Sequence, residues 1–129
     1  GESLFTKYQF QEFIRRGALD VLQPDIARVG VSEFMKIAYL AETEGLLLAP
    51  HIGLSGPGCR AATIYASAAV PRDVFFTYEY MYKRDNILAE ELPSKPIEIV
   101  EKSFINVPRE PGIGFEPKKE IINKYLILT

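Results

Sequence analysis

Glu2, Asp25, His51 and Glu79 are ionisable residues at predicted strand ends, and they follow one another at spacings of 23, 26 and 28 residues. That is the length of a βα unit. In parallel α/β proteins the carboxyl ends of the strands lie on one face of the sheet, so residues far apart in sequence converge there. His51 is the only histidine, and an imidazole is the side chain whose ordinary pKa suits proton transfer near neutrality. Asp25, one unit earlier, is placed to accept the Nδ1 proton, fix the tautomer and leave Nε2 as the working nitrogen.

Each assignment has a plainer counterpart. His51 could cap a loop through its backbone partners while Asp25 starts a turn after Pro24. Glu2 at a strand end beside other carboxylates suits a hard cation such as Mg²⁺, which takes oxygen ligands and keeps waters; a solvated surface glutamate is the alternative. Glu79, set among Tyr78, Tyr80 and Tyr82 behind an apolar run, could be partly desolvated and so retain a proton as a hydrogen-bond donor or acid. A surface glutamate on a tyrosine-rich loop is the competing reading. Arg28 reads as an ion-pair partner, Cys59 as a buried inert thiol, and the Gly53 to Gly58 loop as an ordinary βα turn matching no phosphate-binding motif.

The elements that must carry these residues are legible as an alternating series. Thr6 and Gln9 fit a capping box that starts a helix of about ten residues ending before Gly17. Leu19 to Pro24 reads as a buried strand that delivers Asp25 into a loop, with Gly30 turning it. From Ser32 the apolar residues Phe34, Ile37, Ala38 and Ala41 recur at helical spacing up to Gly45. Leu46 to Ala49 is a short strand buried on both faces, ended by Pro50 and His51. Cys59 to Val70, rich in alanine, predicts a helix packed closely on a sheet, and Val74 to Tyr78 predicts a further strand. The order argues for an α/β fold with a parallel sheet. After residue 80 the character changes, to a hairpin about Glu101 and Lys102, a Pro/Gly-rich loop from Pro108 to Gly114, and a short helix over Glu116 to Tyr125. The division expected is 1–90 for the βα units and 91–129 for a tail.

Composition bounds the rest. The chain has 129 residues, 47% hydrophobic and 25% charged, with a net charge of −2, which is globular and has no basic surface for nucleic acid. No apolar run approaches the roughly 20 residues that span a bilayer, so no membrane partner is expected and a cytoplasmic location is. One cysteine and one histidine rule out an internal disulfide and a Cys/His zinc site. The chain begins at Gly1 without Met, with a candidate site residue already at position 2, and is expected to be the carboxyl-terminal piece of a longer protein.

Taken together, Gly1-Glu2, the segment Asp20 to Asp25 with Gly30 following, Ala49-Pro50-His51, Glu79 and the late Pro111 to Glu116 resemble the carboxyl-terminal third of the enolase superfamily, mandelate racemase subgroup. The resemblance implies the last strands of a modified TIM barrel, (β/α)₇β, with the tail packing on an amino-terminal α+β capping domain. It also implies that Glu2 is a ligand of an essential Mg²⁺, that Asp25 and His51 form the dyad exchanging a substrate proton, and that Glu79 meets the substrate on its carboxylate side. One departure is that Val29-Gly30-Val31 stands where members commonly carry a Gly pair. The expected activity is that of an acid-sugar dehydratase, which removes the proton alpha to a carboxylate and expels the beta hydroxyl to give a 2-keto-3-deoxy acid. A racemase or epimerase of a 2-hydroxy acid and a non-catalytic α/β binding module are the alternatives. The expected partner is a small acid sugar or hydroxy acid, and the full-length protein is expected to be a homo-oligomer. The piece alone, with one metal ligand of three, is expected to be inactive.

Overall fold

A computed structural model describes residues 1–53, 55–80, 87–97, 99–109 and 111–127. Tyr82, one of the tyrosines expected around Glu79, lies outside the described residues, as do Leu54, Glu98 and Glu110 within the expected loops and hairpin.

Helix α1 (Lys7–Arg15) opens on the expected capping box: the Gln9 amide donates to Thr6 Oγ1 at 3.4 Å and the Thr6 amide donates to Gln9 Oε1 at 3.2 Å. Its one buried residue is Phe10. Strand β1 (Val21–Leu22) follows, then α2 (Ile26–Thr43), β2 (Leu47–Leu48) and α3 (Pro57–Ala68). β1 and β2 pair in parallel with Val21 opposite Leu47 and Leu22 opposite Leu48. A parallel bridge carries β2 on to Phe75, closed by Leu48 N–H to Val74 O and Phe76 N–H to Leu48 O, both 2.9 Å. The core joins Phe10, Leu22, Phe34, Ile37, Leu48 and Val74, with the helices laid against the strands.

Several boundaries differ from the sequence reading, each for a local reason. The strands shorten to two residues, and one residue of each pair is fully covered while Val21 and Leu47 are half-buried. The expected strand from Val74 reduces to the single bridge at Phe75: its described partner lies on one side, and Phe76 stays 61% exposed. Asp25 does not sit in a loop. It is the N-cap of a first helical turn over 26–29, and Gly30, with φ 72° and ψ 165°, breaks the helix before it resumes towards Thr43. That backbone conformation is open to glycine at little cost and closed to most other residues. α3 begins two residues before Cys59 because Pro57 takes the first helical position, where no N–H is needed. Cys59 is half-buried rather than fully enclosed, and Arg28 lies over the Phe5 ring at 5.6 Å.

After the βα region come α4 (Ile87–Glu91), which the sequence pattern did not suggest, the hairpin β3 (Ile99–Val100) and β4 (Phe104–Ile105), and α5 (Lys119–Tyr125). The hairpin turns through Glu101, Lys102 and Ser103, with φ of 49° and 64° at the first two and the Ser103 amide donating to Val100 O at 3.2 Å. No helix of the described residues is long and apolar enough to cross a membrane.

Candidate active site

The register of the sheet assembles the site. Val21 and Leu47, Leu22 and Leu48, and Asp25 and His51 are all partners at a constant offset of 26 residues. The ladder continues to the strand ends, where His51 N–H donates to Pro24 O at 3.1 Å. Asp25 and His51 therefore stand side by side, and His51 Nδ1 lies 2.9 Å from Asp25 Oδ2. The other Asp25 oxygen accepts from the Ala27 amide at 2.8 Å. The carboxylate thus caps α2 and holds the imidazole at once. Its side chain is 7% exposed and that of His51 19%. An ionised carboxylate only accepts, so this contact puts the proton on Nδ1 and leaves Nε2 as the nitrogen that gains or loses one.

Nε2 faces Glu2, whose Oε2 is 3.1 Å away. The glutamate side chain is 58% exposed, on the open rim of the strand ends. Glu79 is brought to the same rim but not onto the imidazole: its Oε2 accepts from the Ile52 amide at 2.7 Å. The bridge between Leu48 and Phe75 sets an offset of 27 on this side, and the same offset puts Glu79 against Ile52. The spacing of 28 between His51 and Glu79 is one residue too long for a direct pairing, and in a strand one residue separates opposite faces. Tyr78, beside Glu79, donates its hydroxyl to the Arg60 carbonyl at 3.2 Å, and burial pushes its phenol well above the ordinary range, only partly opposed by the Arg60 charge.

The donors do not by themselves make a cation site. Among the described residues no group of three His, Cys, Asp or Glu side chains is placed to hold a metal. Glu2 is a lone exposed carboxylate, and hard cations such as Mg²⁺ take several oxygens. What the arrangement can do unaided is hold a proton at Nε2 next to a carboxylate, at the mouth of a parallel sheet where ligands of α/β proteins collect. Two parts of it escaped the sequence reading: the contact of Glu2 with His51, and the use of Glu79 as a backbone anchor. Neither carries a signal in the sequence, because the offset of 27 that decides the second is set by the bridge between Leu48 and Phe75.

A parallel sheet with a histidine and carboxylates gathered at its strand ends is an arrangement that α/β proteins use to receive ligands. The chain belongs to the enolase C-terminal domain-like family, whose model matches residues 1–121. It is 29% identical over 125 residues to the arabinonate dehydratase of Saccharolobus solfataricus, covering 96% of this chain and 32% of that protein. It is also 29% identical over 130 residues to the D-galactarolactone cycloisomerase of Agrobacterium fabrum, covering 97% of this chain and 34% of that protein. Dehydratases of sugar acids recur among the curated relatives. The crystal structure of a mandelate racemase/muconate lactonizing enzyme from Jannaschia sp. CCS1 superposes with a TM-score of 0.83 at 30% identity, covering all of this chain and 32% of that one. The chain spans about a third of the length of the first relatives it matches.

Proposed function

We propose that these residues serve a sugar-acid dehydratase, with His51 as its proton-transfer residue, Asp25 as the residue that orients it, and residues 1–90 as the end of a (β/α)₇β barrel whose tail, 91–129, returns to a capping domain. The observation that carries the reading is the imidazole at the strand ends with Nδ1 on the buried Asp25 carboxylate. In the reaction Nε2 of His51 takes the proton alpha to the substrate carboxylate and gives a proton to the beta hydroxyl, which departs as water, and the enol product becomes the 2-keto-3-deoxy acid. Glu79, anchored through one oxygen, keeps the other for the substrate's carboxylate side. Glu2 is the one ligand this chain would give to a Mg²⁺ site, the remaining donors lying outside residues 1–129. The cycloisomerase among the relatives supports a second reading, in which the proton is returned with no loss of hydroxyl.

The test is exchange of the alpha proton in deuterated water across a panel of sugar acids, with the intact protein and its His51→Asn and Asp25→Asn variants. Exchange with release of water, lost about 10²- to 10⁴-fold in His51→Asn as expected for removal of a general acid or base, supports the dehydratase reading. Exchange without water loss supports the isomerase reading. A folded, Mg²⁺-supplied protein that exchanges no acid sinks both.

A further inference from the structure

Two corners of the His51 ring face carboxylates: Nδ1 is hydrogen-bonded to Asp25, and Nε2 lies 3.1 Å from Glu2 Oε2. The third point of contact comes from a residue without a side chain. Gly53 has φ +51°, and a Cβ added to it would stand 2.7 Å from His51 Cε1, 3.4 Å from Nδ1 and 3.5 Å from Nε2. The first distance is far inside van der Waals contact, so a methyl group there cannot coexist with the ring in its present place. Cε1 lies between the two nitrogens, so a push on it acts on both contacts together. The turn that carries Gly53 is itself fixed one residue earlier, where the Ile52 amide donates to Glu79 Oε2.

We propose that Gly53 is a positioning residue for His51: its missing side chain leaves the slot in which the Cε1 edge of the imidazole rests, and Glu79 fixes that slot through the Ile52 amide. The proposal rests on His51 as the proton-transfer residue for its catalytic consequence, but its structural content concerns the ring alone. Positive φ by itself does not account for the contact. Gly17, Gly30 and Gly45 also have φ of 62° to 72°, and nothing lies within 4 Å of a Cβ built on any of them. Substitution at Gly45 therefore reproduces the backbone strain without the collision, which separates the two effects.

The experiment compares Gly53→Ala and Gly53→Asn with Gly45→Ala and Gly45→Asn in the intact protein, asparagine being the side chain that best tolerates left-handed backbone. Histidine is labelled with ¹⁵N, and the His51→Asn spectrum assigns the resonance. The expected result in the parent is a low-field Nδ1 proton bonded to Asp25 and a cross-relaxation peak between His51 Hε1 and the Gly53 Hα protons. Both Gly53 variants are expected to lose the low-field signal while both Gly45 variants keep it. Alpha-proton exchange should fall roughly 10²-fold in Gly53→Ala, the scale of a misplacement near 1 Å, and stay near parental in Gly45→Ala. An unchanged His51 signature in a folded Gly53 variant overturns the proposal. So does failure of both Gly53 variants to fold while the Gly45 variants do, because the cost then lies in the chain and not in the ring. A displaced signature in a parent that exchanges no acid leaves the positioning role standing and removes the proton-transfer reading instead.

Discussion

From Lys7 to Phe75 the chain buries a connected core in which Phe10, Leu22, Phe34, Ile37 and Leu48 are fully covered, whereas from Ile87 to Ile127 Ala89 alone among the described residues is buried. The first region is held by pairings between residues 26 or 27 apart in sequence. The second owes its hairpin to a three-residue turn and its own closure to two ties, the Ser94 amide to Glu116 O and the Lys118 amide to Leu92 O, each at 2.8 Å, while Tyr65 joins it to the first by donating its hydroxyl to Pro108 O at 2.8 Å. Gly114 packs so closely that a Cβ would meet the Pro108 ring at 2.8 Å. Chemistry that needs groups fixed to a few tenths of an ångström belongs on the region whose elements brace one another. All four candidate residues lie in or beside it.

The comparison breaks most sharply at Leu48, which pairs with β1 on one side and bridges to Phe75 on the other. Leu48→Ala should cost about 2–5 kcal/mol in denaturant unfolding and loosen the contact of Asp25 with His51. A loss below about 1 kcal/mol, at the scale of a mere surface change, would mean that the sheet does not hold the site. The next effect is pH-dependent. Burial raises the Tyr78 phenol above its ordinary value of 10, so the folded state favours the neutral form. That contribution is complete below pH 10 and is lost as pH rises from there towards the folded value. Stability should therefore fall more steeply above pH 10 in the parent than in Tyr78→Phe; parallel curves would show that the phenol is not desolvated. Tyr65→Phe, which removes the hydroxyl tie to Pro108, should cost about 1 kcal/mol and speed proteolysis within 87–127 while cleavage within 7–75 stays slow. Equal acceleration in both regions would mean they unfold as one. Smallest is the hairpin: Glu101→Asn with Lys102→Gly supplies residues suited to positive φ and should stabilise the turn by about 0.5–1 kcal/mol, seen as slower amide exchange at Ile99 and Ile105 and not at Leu22.

Much of this was legible beforehand where the signal was local. Thr6 and Gln9 announced their capping box, Pro50 ended the apolar run before His51, and the Glu101-Lys102 turn fell where expected, because each depends on neighbours within four residues. Reading failed where distant partners decide. The strand from Val74 shrank to one bridge because backbone pairing needs a second strand to accept it, and the first turn of α2 was missed because Asp25 looked like a loop residue until its carboxylate was seen capping Ala27. Glu79 was assigned to the site by its spacing, and it reached the rim, but one residue of register put it on the Ile52 amide.

Apolar period and turn residues are properties of the chain as a string, and they contain the alternation of elements and put Asp25 and His51 at successive strand ends 26 residues apart. Packing of the strands brings Asp25 onto Nδ1 and Glu2 onto Nε2, puts Glu79 on a backbone amide, and leaves room for the ring at Gly53. Those contacts depend on the register between strands and on the direction each side chain leaves the backbone, and both are fixed only when the strands lie side by side.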